Sequence, residues 1–488
     1  RGTMMLLVQK YINNVISSAL NTRLNELSQK ADCPFLGAGV EYGNYAMSKT
    51  ADAFFLYIVP KTGQDAAALQ VVMQEVERAA RFGITGTEIL RAREEILSSL
   101  EKVYDNREKQ KHNFYTGQYV RHFLEGNAIP DIKTEFDTYS QVAKMIPAQV
   151  INETLKEYTA STDTNFVVLG MYPDKEGLTI PTPEALKAAV AAAKAAQLEA
   201  YVDNVKNEPL ITKLPKPGKV VSQKRGPKFG YTELKLSNGV TVLLKKTDYK
   251  KDEVRLSGSG GAGSSSYGAA DFVNLNVFNS ALEVSGLANF SNTELSKALA
   301  GKNASASLSM SEKRMRVGAN ATPKDIETMF QLAYLHFTKI NKDQEAFNNL
   351  MESLKVSLQN RAISPDQAFS DSLSATIYGH NPRVKPLELA DLPKVNYDRI
   401  LHMAAERTAN ANGWRFIIIG NYDEATIRPL IERYLGSLPS KGANPNSKKV
   451  TFFKKGVTNN DFTRKMETPK ADANMVWFSE DIPYTTEN

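Results

Sequence analysis

Two stretches of this chain end alike at a distance of about 250 residues, and that repeat limits the available folds more than any other feature. Ile146-Pro-Ala-Gln-Val leads to Asn165-Phe-Val-Val-Leu-Gly170. Leu392-Pro-Lys-Val-Asn leads to Arg415-Phe-Ile-Ile-Ile-Gly420. The preceding helix patterns also correspond: Ser99-Leu-Glu-Lys-Val-Tyr-Asp-Asn106-Arg matches Ser353-Leu-Lys-Val-Ser-Leu-Gln-Asn360-Arg, and Gly126-Asn falls where Gly379-His-Asn does. Self-similarity at this spacing indicates a duplicated domain rather than a short solenoid repeat.

The patterning inside each copy mixes two periods. Leu6, Leu7, Tyr11, Ile12, Val15, Ile16, Leu20 and Leu24 recur at helical spacing, and alternation predicts strands over Phe35–Tyr42 and Asp52–Val59. Helices are expected over Asp65–Gly83, Thr87–Glu108, Asn113–Leu124 and Pro147–Tyr158, with Phe166-Val-Val-Leu-Gly170 as a short buried strand. Residues 184–203 are rich in Ala and Lys and read as a solvated helix. Pro209, Pro215, Pro217 and Pro227 among Lys and Gly then read as an extended tether.

The second copy opens with a hairpin at Leu234-Lys-Leu-Ser-Asn-Gly239-Val-Thr-Val-Leu-Leu244, where Asn-Gly is the turn. Strand Glu253–Ser259 and helix Ala269–Val284 follow. A short helix over Thr293–Leu299 takes Asn292 as its N-cap. Strands are expected at Ala304–Met310 and Arg314–Ala319, and helices at Pro323–Phe337, Gln344–Gln359, Pro365–Ile377 and Asn396–Thr408. Strand Trp414–Gly420 and helix Glu424–Leu435 close the copy. Residues 445–488 read as a third start, with Asn474–Phe478 a strand that has no neighbour to pack on. Separated runs of strands and helices indicate an α+β architecture, each copy an antiparallel-rich sheet with helices on one face.

Several phrases resemble the insulinase/pitrilysin family of zinc metallopeptidases, whose domains are of the LuxS/metallohydrolase-like type. Leu20-Asn-Thr-Arg-Leu-Asn-Glu-Leu-Ser-Gln-Lys30-Ala-Asp32 is similar to the first helix of that family's second domain. Pro34-Phe-Leu-Gly-Ala38 and Lys49-Thr-Ala-Asp-Ala-Phe54 are similar to its sheet. Leu236-Ser-Asn-Gly-Val240 resembles the opening of the odd-numbered domains. Thr293-Glu-Leu-Ser-Lys-Ala-Leu-Ala-Gly301 and Asn303-Ala-Ser-Ala306 resemble the helix and strand after the zinc helix. The resemblance implies that residues 1–178 form most of domain two and that residues 179–228 link it onward. It makes residues 229–440 a degenerate domain three, and residues 441–488 the start of domain four. Both ends therefore read as cuts within a longer parent.

The resemblance also implies where zinc would sit. Family members bind it through His-x-x-Glu-His on a domain-one helix, which sets two imidazoles one turn apart beside a carboxylate that activates the metal-bound water. The histidines here are His112, His122, His336, His380 and His402, and no two lie within five residues of each other. His122 has Glu125 at the right spacing, but Gly126 stands where the second His belongs. The corresponding slot of the second copy, about 270–287, has no His and only Asp271 and Glu283 as acids. No catalytic, substrate-binding or metal residue is therefore assigned. No cofactor is expected in this chain, and zinc is expected in the parent's N-terminal domain.

Other motifs are weak. His402 and Glu406 share a helix face, but two ligands do not make a zinc site. Gly258-Ser-Gly-Gly-Ala-Gly263 lacks the Lys-Ser/Thr of a phosphate loop, and Ser264–Ser266 lack a Gly-x-Ser-x-Gly frame. Cys33, the single cysteine, reads as a partly buried inert thiol and excludes an intrachain disulfide. In Lys109–Tyr119, helical spacing makes Phe114, Tyr115 and Tyr119 a packed face rather than a nucleic-acid surface. The 60 basic and 54 acidic residues leave +6, too dilute over 488 residues to predict nucleic acid or membrane as partner, and no apolar run approaches the roughly 20 residues of a membrane span.

The expected function is the non-catalytic portion of a zinc metalloendopeptidase that encloses and degrades unfolded peptides. The expected partner is then a peptide substrate in the parent's chamber. The alternative is an inactive scaffold or peptide-binding subunit that partners a catalytic homologue. A periplasmic location is the working expectation.

Overall fold

A computed structural model of the chain describes residues 4–44, 51–126, 128–160, 165–172, 177–466, 468–479 and 485. The first body comprises α1 (Met4–Ser28), β1 (Phe35–Asn44), β2 (Asp52–Pro60), α2 (Asp65–Phe82), α3 (Gly86–Asp105), α4 (His112–Glu125), α5 (Ile132–Met145), α6 (Ala148–Thr159) and α7 (Pro183–Ala195). Helical spacing in α1 puts Tyr11, Val15, Ile16, Leu20 and Leu24 on one face, and all are buried in a core shared with Val72 and Val76 of α2 and Ile89 of α3. β1 and β2 form an antiparallel hairpin with Val40 opposite Leu56. α3 starts where Thr85 and Glu88 make a reciprocal capping box, so the cap is Thr85 and not the Thr87 region that the sequence suggests.

Several expectations fail here, each for a packing reason. α5 has no counterpart among the expected helices, although Asp131 caps it by accepting from Thr134 N at 3.0 Å and its Tyr139, Val142 and Ala143 are buried. The Phe114, Tyr115 and Tyr119 face of α4 is not packed on the core: Tyr119 is 59% and Phe123 87% exposed, and the Tyr115 ring contacts those of Phe114 and Tyr119. Residues 166–170 form no strand, and Val167 is 69% exposed. The matching segment of the second body is a central strand with neighbours on both sides, whereas the first body's described strands are only β1 and β2, which pair with each other.

The second body comprises β3 (Val220–Arg225), β4 (Thr232–Leu236), β5 (Thr241–Lys246), β6 (Val254–Gly260), α8 (Phe272–Glu283), β7 (Gly286–Leu287), α9 (Asn292–Ala298), β8 (Ala304–Met310), β9 (Met315–Ala321), α10 (Ile326–Thr338), β10 (Ile340–Asn341), α11 (Gln344–Ala362), α12 (Pro365–Ile377), α13 (Tyr397–Thr408), β11 (Arg415–Gly420) and α14 (Glu424–Leu430). A π-helical turn, Ile431–Leu435, continues α14. Seven strands form one sheet in the order β3-β4-β5-β11-β6-β9-β8. β11 runs parallel to β5, and every other neighbouring pair is antiparallel. Strict alternation sends Val242, Leu256, Phe416, Ile418 and Val317 to a buried face, where they join Phe278, Phe330 and Met403 of the helices. Among the described residues no helix packs on the opposite face, where Arg415, Ile417 and Ile419 are exposed. The Asn-Gly hairpin forms as expected, with Gly239 at φ 87°. α9 is capped by Ser291, not Asn292, through a box with Glu294.

The glycine run 258–263 is explained by packing. A Cβ at Gly258 would collide with the Phe416 ring and one at Gly260 with the Trp414 ring, while Gly263 lies against the backbone of the β8–β9 turn. Trp414 is fully buried and meets Phe337 edge-on at 4.5 Å. The glycines accommodate aromatic rings, which removes the need for a phosphate reading.

The segment between the bodies is held along its length. α7 buries Ala189, Val190 and Ala193 against Leu69 and Met73 of α2, so the expected solvated helix has an apolar face. Arg81 donates to the Ala196 carbonyl at 2.8 Å. Asp203 binds Arg91 of α3 at 2.7 and 2.9 Å and Lys297 of α9 at 3.2 Å. Lys297 also contacts Glu26 and Tyr201, and the Tyr201 hydroxyl donates to Glu26 at 2.8 Å. Beneath this lies Arg23, 1% exposed, between Glu75 and Glu88. Burial alone would lower the Arg23 pKa, but Glu88 and Glu75 outweigh it and hold the guanidinium above its ordinary value. Further on, β3 joins the sheet edge and Gly218 donates to the Glu432 carbonyl, so the tether reading holds for only part of the segment.

The described part of 441–479 runs without regular structure along α12, with Phe453 stacked on Tyr378 and Phe462 on Phe369. The expected strand at 474–478 does not form, and Trp477 is 81% exposed. No helix among the described residues is long and apolar enough to cross a membrane.

Candidate functional site

α8 occupies the slot that the family resemblance equates with a zinc helix, and its asparagines at 274 and 279 are committed elsewhere. Asp271, just before the helix, holds Arg399 through two bonds of 2.9 Å, which lowers the Asp271 pKa. Asn274 accepts from Asn396 N at 2.8 Å. Glu283 points to solvent. Asn279 acts as a surrogate strand: its Oδ1 accepts from Met310 N at 2.8 Å and its Nδ2 donates to Met310 O at 3.4 Å. Among the described residues, no group of three or more His, Cys, Asp or Glu side chains converges as a metal site would require. The donor set of the described residues therefore does not fit zinc.

Beside α8 lies the free edge of β8. The β8–β9 turn sets the ladder, since Ser311 N donates to Arg314 O. Alternate residues of an antiparallel strand aim both backbone groups to the same side. Ala304, Ala306, Leu308 and Met310 therefore face away from β9. Asn279 closes this edge at Met310. His336 on α10 closes the Ala306 carbonyl, its Nε2 3.0 Å from the oxygen. The Leu308 N–H and C=O between them have no partner among the described residues. A groove of about 960 Å³ runs past this edge, lined among others by Asn279, Leu282, Ser285, Leu295, Leu308 and His336. Its chemistry is that of an incomplete ladder: it can accept an extended backbone.

His336 contributes one more property. With Nε2–H donated to Ala306, its Nδ1 is the unprotonated nitrogen, and this atom is shielded from solvent without a partner. Burial pushes the imidazole pKa down to about 4, only partly offset by the Ala306 bond. The ring is neutral at pH 7. In the sequence, His336 stands out only as one of five histidines. The one signal for this site is the run of small residues Asn303-Ala-Ser-Ala-Ser307 flanking the edge.

The remaining sequence candidates stay apart. His402 lies 3.1 Å from Glu406, which also accepts from Tyr267 at 3.0 Å; the His402 side chain is 64% exposed and the pair is a surface contact. His122 sits on exposed α4, and Gly126 caps that helix at φ 69°, a conformation a histidine would adopt only with strain. Ser264–Ser266 form a 3₁₀ turn. Cys33 is buried with its thiol 3.4 Å from the Phe35 carbonyl, and burial raises its pKa.

No family model matches the chain. It is 24% identical over 426 residues to a "Zinc protease PQQL-like" of Arabidopsis thaliana, covering 86% of this chain and 38% of that protein. It is 20% identical over 427 residues to a "Probable zinc protease PqqL" of Escherichia coli (strain K12), covering 87% of this chain and 45% of that protein. The chain thus spans under half the length of these relatives. Among solved structures, a single-substitution variant of the ferredoxin protease FusC, in complex with Arabidopsis ferredoxin, superposes with a TM-score of 0.54 at 17% identity. The match covers 91% of this chain and 49% of FusC, a likeness of fold.

Proposed function

This chain is a relative of the insulinase/pitrilysin zinc peptidases, and we propose that it forms the non-catalytic wall of a zinc metalloendopeptidase that encloses unfolded peptides. The observation that carries the reading is the pairing of two features in one place. In the helix of the zinc-helix slot Asn274 and Asn279 are spent on structure, and the adjacent β8 edge keeps backbone groups free for an extended chain. In this reading residues 1–178 are part of a second domain, 229–440 a third and 441–488 the beginning of a fourth, with 179–228 between. Zinc belongs to a domain outside this chain. The protein substrate of FusC supports a polypeptide as the partner, and a periplasmic site of action goes with the reading.

The test has two arms. The purified 488-residue chain, loaded with zinc and dialysed, is expected to retain far less than one zinc per chain by plasma mass spectrometry and to leave unfolded casein intact. The full-length parent is expected to cleave it, and EDTA to stop the cleavage. Chelator-sensitive cleavage by the 488-residue chain alone would end the proposal. A full-length parent that is also inert would replace it with the inactive scaffold that partners a catalytic homologue.

A further inference from the structure

The helix-free face of the sheet carries a charge pattern that can be read directly from the strand registers. One row across the sheet is Lys235, Thr241, Arg415, Ser259, Arg316 and Ser309. Two residues along the strands, the next row is Glu233, Leu243, Ile417, Ser257, Gly318 and Ser307. Two further, it is Lys245, Ile419, Arg255, Asn320 and Ser305. The first and third rows are basic, and the row between is apolar or small from Leu243 onward, with Glu233 at its β4 end held by Lys224. Ile417 in the middle row is 39% and Ile419 in the third row 41% exposed, so this face is open to solvent.

Only part of this charge is neutralised in place. Arg255 of the third row pairs with Glu253, and Glu233 of the middle row with Lys224. Lys235 and Lys245 donate to the backbone carbonyls of Gly239 and Phe229. Lys235, Lys245, Arg316 and Arg415 have no carboxylate partner among the described residues. Arg316 and Arg415 flank Ser259 from either side, two strand spacings or about 9–10 Å apart. Like charges held across a sheet without counter-ions cost stability unless something opposite covers them.

We propose that this face is a docking surface for an acidic, extended polypeptide segment. The basic rows lie four residues apart along the strands, about 13 Å. An extended segment running with the strands presents side chains i and i+4 at the same interval on the same face. Carboxylates at those positions meet Arg415 at one end and Lys245, on the neighbouring strand, at the other. A small apolar residue at i+2 then falls on Ile417 and Leu243. Ser257, Gly318 and Ser307 make a low floor that lets the segment approach closely. Nucleic acid fits less well, because the three rows contain no aromatic side chain on which bases could stack. The inference rests on the reading of the chain as a wall that receives polypeptide, and it names the chemistry that wall selects.

Fluorescence anisotropy with the 488-residue chain tests it. The probes are labelled Glu-Ser-Val-Ser-Glu-Ser-Val-Ser-Glu, the same peptide with Gln for Glu, and a dT oligonucleotide of equal charge. The acidic peptide is expected to bind at least tenfold more tightly than the Gln peptide, and more weakly as salt is raised. Arg316→Glu/Arg415→Glu is expected to abolish that preference. Arg316→Gln/Arg415→Gln is expected to reduce it severalfold, with thermal midpoints no lower than the native chain's because both side chains are exposed and their mutual repulsion is removed. Equal binding of the Glu and Gln peptides refutes the charge selection and leaves the peptide-receiving wall standing, whereas no binding of either refutes both. Tighter binding of dT than of the acidic peptide reassigns the face to nucleic acid and overturns the proposal.

Discussion

Lowering the pH from 7 to 4.5 should destabilise the second body through one side chain, His336. The neutral ring donates Nε2–H to Ala306, and Nδ1 is shielded from solvent with no partner, so a second proton has no acceptor to meet. The folded-state pKa is about 4 against an ordinary value of 6.5. Above pH 6.5 the ring is neutral in both folded and unfolded chains, and it makes no pH-dependent contribution. Between 6.5 and 4 the unfolded chain binds a proton that the folded chain refuses, so stability falls as pH falls, and below 4 the difference is constant. At about 1.4 kcal/mol per pH unit, the loss is about 3 kcal/mol when complete, and roughly 2 kcal/mol of it has been incurred by pH 5. Trp414, buried in the same core, reports the transition by fluorescence in urea titrations. The measurement is the change in stability from pH 7 to pH 4.5 for the native chain and for His336→Leu. The variant is expected to lose about 2–3 kcal/mol less than the native chain over that interval. Parallel pH profiles for the two would refute the reasoning, since other groups would then carry the acid sensitivity.

Four further outcomes rest on packing and charge. Lys297→Met leaves Asp203 and Glu26 with one cation fewer in a buried cluster; breaking such a pair costs about 3–5 kcal/mol and should accelerate limited proteolysis within 196–218, read by mass spectrometry of the fragments. In the same cluster, burial alone would raise the Asp203 pKa, but Arg91, Thr87 and Lys297 outweigh it and hold the carboxyl below its ordinary value. That stabilisation is full above the usual carboxylate range and is lost as pH falls below about 4, so Arg91→Gln should flatten the acidic limb in denaturation curves. Cys33 should resist Ellman's reagent in the native chain and react fully in urea; rapid native reaction would contradict its burial. Trp414→Ala should cost about 3–5 kcal/mol in urea denaturation of the second body, with unchanged stability refuting the packing account of the glycine run.

Much of the fold is legible in the sequence because period and capping are local properties. The 3.6-residue spacing of Tyr11, Val15 and Leu24, the alternation in Arg314–Ala319 and the Asn238-Gly239 turn each specify an element without help from distant residues, and the repeat of such elements indicates the duplication. The chemistry of the chain is limited by its histidines, which are spread singly and cannot make a zinc helix wherever they fold. Partnership lies beyond the reach of local pattern. Phe166–Gly170 and Phe416–Gly420 have nearly the same letters, yet only the second becomes a strand, because β5 and β6 offer it hydrogen bonds on both sides. α4 has the apolar spacing of a buried helix and is exposed, since no described element comes to cover it. The free β8 edge, the orphaned Nδ1 of His336 and the basic rows of the open face arise from residues far apart in sequence. Strand order and register alone bring them together, and those are settled by long-range pairing that no local pattern encodes.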